Sequence, residues 1–128
     1  MPLSWRQLTS LLGPPGAMPP QTVWLAAPQA NEKRLVLRAP HSLSITRVDV
    51  VLSGGSSPSV SFHLLHGADT SATGTASTSS AMTVSSTSSG TAFSSFANAD
   101  VPAEHWVWLE ITAVTGSPAG LTVSLLLS

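Results

Sequence analysis

Two stretches, His-Trp-Val-Trp-Leu-Glu-Ile-Thr-Ala-Val at 105–114 and Leu-Thr-Val-Ser-Leu-Leu-Leu-Ser at 121–128, alternate between two faces with a period of two. Successive side chains leave a strand on opposite sides, so this pattern predicts half-buried strands. Thr-Gly-Ser-Pro-Ala-Gly at 115–120 is turn chemistry, and the two strands are expected to form a β-hairpin. Trp106 and Trp108 share one face, with His105, Val107 and Leu109 on the other. Packing in a core or an interface is the expected use of both indoles.

The same period recurs upstream. A short strand is predicted at 22–26. Residues 33–39 place Leu35 and Leu37 on one side and Arg34, Val36 and Arg38 on the other, and Pro40 ends the pairing. Residues 44–52 point Val48, Val50 and Leu52 inward and Arg47 and Asp49 outward. Gly-Gly-Ser-Ser-Pro at 54–58 is a turn cluster. Val60, Phe62 and Leu64 then form an inward set alternating with Ser59, Ser61 and His63. From 70 to 95 about two residues in three are Ser or Thr, which fits either a low-complexity linker or a folded segment. The spaced anchors Met82, Val84, Phe93 and Phe96, with the strand propensity of Thr, favour the folded reading. Residues 98–103 turn the chain into the Trp-bearing strand. The expected class is all-β, an antiparallel β-sandwich of jelly-roll-like or immunoglobulin-like form.

Residues 1–20 read differently. Ser4 is placed to cap a short helix in which Trp5, Leu8, Leu11 and Leu12 share one face. Gly-Pro-Pro-Gly at 13–16 ends it, and the prolines from Pro14 to Pro20 keep this piece out of a central sheet. It is either a frayed terminus or an extended arm whose Trp and leucines lie on a neighbouring protein. The apolar content favours the arm. The predicted organisation is an arm at 1–20 and a sandwich knob at 21–128.

Composition narrows the function. Of 128 residues only 9% are charged, against a typical ~25%, and the net charge is −1. That gives no electrostatic footprint for nucleic acid or an anionic membrane. So weakly charged a surface is poorly protected against self-association, so an oligomer is expected. With no cysteine, disulfides, thiolate chemistry and Cys-based metal sites are excluded. The first twenty residues lack a secretory pattern, and no run approaches the ~20 apolar residues of a membrane span. A soluble protein made in a cytoplasm is expected.

Catalytic chemistry is sparse. His63 and His66, three apart on a strand, face opposite ways, so joint ligation of one metal is not expected. There is no Gly-x-Ser-x-Gly elbow, no phosphate-binding glycine loop followed by Lys, and the six acids are scattered. The sequence predicts no enzyme, no cofactor and no metal site. The tryptophans leave one alternative open, stacking on sugars through Trp24, Trp106 or Trp108.

Leu-Val-Leu-Arg-Ala-Pro at 35–40, Ser-Ile-Thr-Arg-Val at 44–48, the Ser/Thr-rich middle and the strand at 101–112 together resemble small β-sandwich virion proteins of tailed bacteriophages. The resemblance covers about three quarters of the chain and rests on packing and turn patterns. It implies a capsid cement (decoration) protein, often a homotrimer, made in the host cytoplasm and carried on the outer surface of the capsid. Its partner would be the major capsid protein, clamped across neighbouring subunits. The arm then carries the capsid-binding residues Trp5, Leu8, Leu11 and Leu12. The alternative is a tail fibre or head spike component that binds a host receptor or polysaccharide.

Overall fold

A computed structural model describes residues 19–128. The helix expected within residues 1–20, with Trp5, Leu8, Leu11 and Leu12, lies outside the described residues. Among the described residues ten strands follow one another: β1 (Gln21–Ala26), β2 (Lys33–Arg38), β3 (Leu43–Ser53), β4 (Ser59–Gly67), β5 (Thr75–Ala76), β6 (Met82–Val84), β7 (Thr91–Phe93), β8 (Asp100–Val101), β9 (Trp106–Thr115) and β10 (Gly120–Leu127).

They form two antiparallel sheets. One runs β1-β10-β3-β7, with β8 also on β3; the other runs β2-β9-β4-β5, with β6 also on β4. Early strands pair with late ones in reverse order: β1 with β10, β2 with β9, β3 with β7 and β8, β4 with β5 and β6. The chain is thus one long antiparallel ribbon, rolled up so that β10 also meets β3 and β9 also meets β4. This strand order is a jelly roll, one of the two sandwich forms that the alternation predicts.

The core lies between the sheets and follows the predicted alternation. Val48, Val50 and Leu52 meet Val60, Phe62 and Leu64, with Val107, Leu109 and Ile111 from β9 and Leu121, Val123 and Leu125 from β10. The Ser/Thr-rich stretch is folded. Met82 and Val84 are buried, and Phe93 and Phe96 pack against the core. Residues 98–103, expected only to turn the chain, also supply β8, which buries Val101 against β3.

Three expectations are corrected. First, β9 and β10 do not pair with each other; they belong to different sheets. Residues 116–119 form an arch across the sandwich rather than a hairpin loop. A second arch, 54–58, carries β3 over to β4, and the two brace each other where Ser56 N–H donates to the Gly116 carbonyl at 2.9 Å. Second, a bulge falls between Leu35 and Leu37 where β2 pairs with β9. An extra residue flips the facing, so Val36 and Leu37 both pack on the core while Leu35 turns outward, 47% exposed. Third, Trp108 is fully buried but on the outer face of its sheet, apart from the core cluster.

Candidate functional site

Three groupings of polar and aromatic side chains stand out among the described residues, and each follows from register. The first lies on the outer face of the β1 sheet. The outward positions of β1, β10 and β3 line up in rows: Trp24, Thr122 and Val51 in one, Thr22, Ser124 and Asp49 in the next. Trp24 sits on an edge strand and is 55% exposed. Its indole leans across Gly120: a Cβ there would lie 2.6 Å from Trp24 Nε1 and 3.0 Å from Cε2. Only a residue without a side chain lets the indole come this close to the sheet at this point. Beside it runs an open groove of about 280 Å³ lined by Arg47, Asp49, Val51, Gly90, Thr122 and Ser124, among others. Arg47 Nε donates to Asp49 Oδ1 at 2.8 Å, and Thr22 Oγ1 to Ser124 Oγ at 3.1 Å.

The second grouping is on the outer face of the opposite sheet. Trp108 lies between Leu35 and Leu65 in the cross-strand register. Residues 67–74 roof it, and Gly74 packs flush with the ring. Its Nε1 donates to Glu110 Oε2 at 3.2 Å. Lys33 Nζ stands 4.5 Å from the ring centre and donates to the Thr70 carbonyl in that roof. Cation–π attraction and the hydrogen bond therefore close the same lid. The Ser71 backbone N–H and hydroxyl both donate to Asp69, and these bonds, with Lys33 nearby, hold its carboxyl below the usual carboxylate range. Trp106 is half-buried under Arg38, whose guanidinium carbon is 5.4 Å from the ring centre.

The third grouping is at one end of the sandwich. Alternation along β4 sends His63 to the outer face and His66 inward, as the spacing predicts. There His66 Nδ1 meets His105 Nδ1 at 3.3 Å, with ring centres 5.5 Å apart. His66 is 7% exposed. Burial, and then the neighbouring His105 ring, push its pKa below the ordinary 6.5. His66 Nε2 and the nearby Ser77 Oγ have no protein partner.

Of the sequence candidates among the described residues, Trp24 is the one left largely exposed; Trp108 is sealed and Trp106 partly covered. The four capsid-binding candidates lie outside the described residues. Sequence reasoning missed the His66–His105 contact, which joins β4 to the residue just before β9, 39 positions further on. It also missed the Arg47–Asp49 pair as a unit, although both were read as outward on one strand. Among the described residues no group of three or more His, Asp or Glu is arranged to hold a metal ion, and no helix is long and apolar enough to cross a membrane. No family model matches the sequence, and no curated protein or solved structure is significantly similar to it.

Proposed function

We propose that this chain is a structural protein of a tailed-phage virion, a cement protein that clamps neighbouring major capsid subunits from the outside. The strand order carries the reading. A jelly roll is an architecture recurrent in viral capsid domains, an analogy of fold that adds to the sequence resemblance without replacing it. The first described strand, β1, lies at an edge of its sheet, and in this proposal the arm at 1–20 leaves the knob from there. An arm in that position is free to lie on a shell while the knob stands outward.

Mass action supplies the mechanism. A ligand that binds only the assembled lattice stabilises that lattice by its binding free energy. Three arms on one homotrimer reinforce one another through effective concentration, so each arm can bind weakly and the whole tightly. The side chains proposed to hold the shell are Trp5, Leu8, Leu11 and Leu12. The role is non-enzymatic and requires no cofactor.

Labelling of intact virions with an antibody to this chain tests the reading. Label distributed over the head, at a copy number close to that of the capsid subunit, is expected. Label confined to the tail in a few copies, or absent from the particle, would overturn it.

A further inference from the structure

We infer that the outer face of the β1 sheet is a saccharide-binding surface, with Trp24 as its stacking platform and the Arg47–Asp49 groove as its polar half. The inference does not depend on how the chain docks to a capsid.

The first ground is the pose of Trp24. The Nε1 edge of the Trp24 indole lies against Gly120, where a side chain would collide with it, while the residue stays 55% exposed. A plane held this way loses little freedom when a ligand covers it. The apolar C–H face of a pyranose ring is the complement of such a plane.

The second ground is what surrounds the ring. Thr22, Thr122 and Ser124 place hydroxyls along the adjoining rows, and each hydroxyl both donates and accepts. Arg47 and Asp49 add planar donors and acceptors, and they are already paired to each other at 2.8 Å. The patch therefore has no net charge, which fits a neutral sugar better than a uronic or sialic acid. Two strand spacings and a two-residue step along the strand separate Trp24 from Asp49, roughly 12 Å. A short oligosaccharide spans that distance, with one residue stacked and the next in the groove.

The third ground weighs against a second copy of this chain as the occupant. An interface core is built from contiguous apolar area depleted of charge. Here one aromatic ring is set among hydroxyls beside an ion pair, and the exposed aliphatic groups in the groove are small and scattered, Val51 and the methyl of Ala92.

The test uses the full chain, 15N-labelled, with the indole N–H resonances of its four tryptophans followed by NMR. The probes are cellohexaose, maltohexaose and a β-1,4-galactan oligosaccharide. A saturable shift of the Trp24 resonance with at least one probe, and none of Trp108, is expected. Trp24→Ala should weaken that binding about tenfold, the scale of one aromatic stacking contact. Trp24→Tyr should restore part of it, and Asp49→Ala should weaken it several-fold. An unchanged Trp108 resonance in each variant shows that the fold is intact. A Trp24 resonance that ignores all three sugars would overturn the proposal. So would one that moves only with protein concentration, the mark of a second copy on this face.

Discussion

Gly74 abuts the indole of Trp108: a Cβ on Gly74 would lie 2.6 Å from Cζ2 and 2.9 Å from Cη2. The roof at 67–74 sits this low because Gly74 has φ +79, a conformation that side-chain-bearing residues rarely adopt. Two substitutions probe the fit. Trp108→Ala empties a fully buried site and should cost about 3–5 kcal/mol. Gly74→Ala combines backbone strain with a clash and should cost about 1–3 kcal/mol. Urea denaturation checks both. Loss of stability in the first without the second would mean that the roof simply lifts.

The braced arches make a second test. Gly116 has φ +75, and a Cβ there would stand 2.6 Å from Pro58 Cα and 2.8 Å from the Ser57 carbonyl, both backbone atoms of the facing arch. Neither can swing aside as a side-chain tip would. Gly116→Ala should lower stability by about 2 kcal/mol or more. A melting temperature equal to that of the parent would show that the arches are not locked together.

Acid should weaken the fold through His66. Its folded pKa lies below the ordinary 6.5 because of burial and the His105 ring, so the unfolded chain takes up a proton more readily than the folded one. The stability at stake is complete above about 6.5 and is lost as the pH falls through the lower, folded value. Denaturation midpoints measured at stepped pH from 7.5 to 5 should fall, and His66→Gln should flatten that part of the curve. An identical slope in the variant would assign the loss to other groups.

Light scattering of the isolated protein at micromolar concentration is expected to give a trimer. The surface carries little charge, and symmetric closure is the usual way for such surfaces to associate. A monomer at that concentration would remove the avidity on which the cement reading depends.

Removal of residues 1–20 should leave a knob that folds and binds heads no longer. The deletion ends just before β1, so none of the ten described strands is cut. Full occupancy of capsids by the shortened protein would move the shell contact to the sandwich. A failure to fold would make the arm part of the core instead.

Much of this architecture was legible because burial obeys period two. Val48, Val50, Leu52, Val60, Phe62 and Leu64 all face as their spacing dictates. Sheet membership was not legible. Gly, Ser and Pro at 116–118 make the same signal whether a chain doubles back in one sheet or crosses to another, so β9 and β10 looked like a hairpin. The facing of Leu35 was lost to a bulge, which a single inserted residue creates without a marker of its own. The burial of Trp108 depends on a loop of small polar residues that reads as solvent-exposed, and the His66–His105 contact on the pairing of β4 with β9, just before which His105 lies. For the candidate saccharide surface, alternation placed Arg47 and Asp49 outward, but the Trp24–Gly120 fit required the register of β1 against β10.

The ribbon order also has a consequence for how this chain emerges from a ribosome. Thr22 and Ser124, bonded to each other in β1 and β10, are 102 positions apart. While synthesis proceeds, β1 and β2 wait for partners that are made last, and only the innermost turn of the roll, β4 with β5 and β6, can pair early. Contacts so distant in sequence make folding slow, on a scale of milliseconds to seconds rather than microseconds. Throughout that interval Val23, Leu25, Val36 and Leu37 are apolar strand segments without cover. Newly made chains at high concentration are then prone to pair with each other, and the yield of soluble protein should rise when synthesis is slowed or cooled.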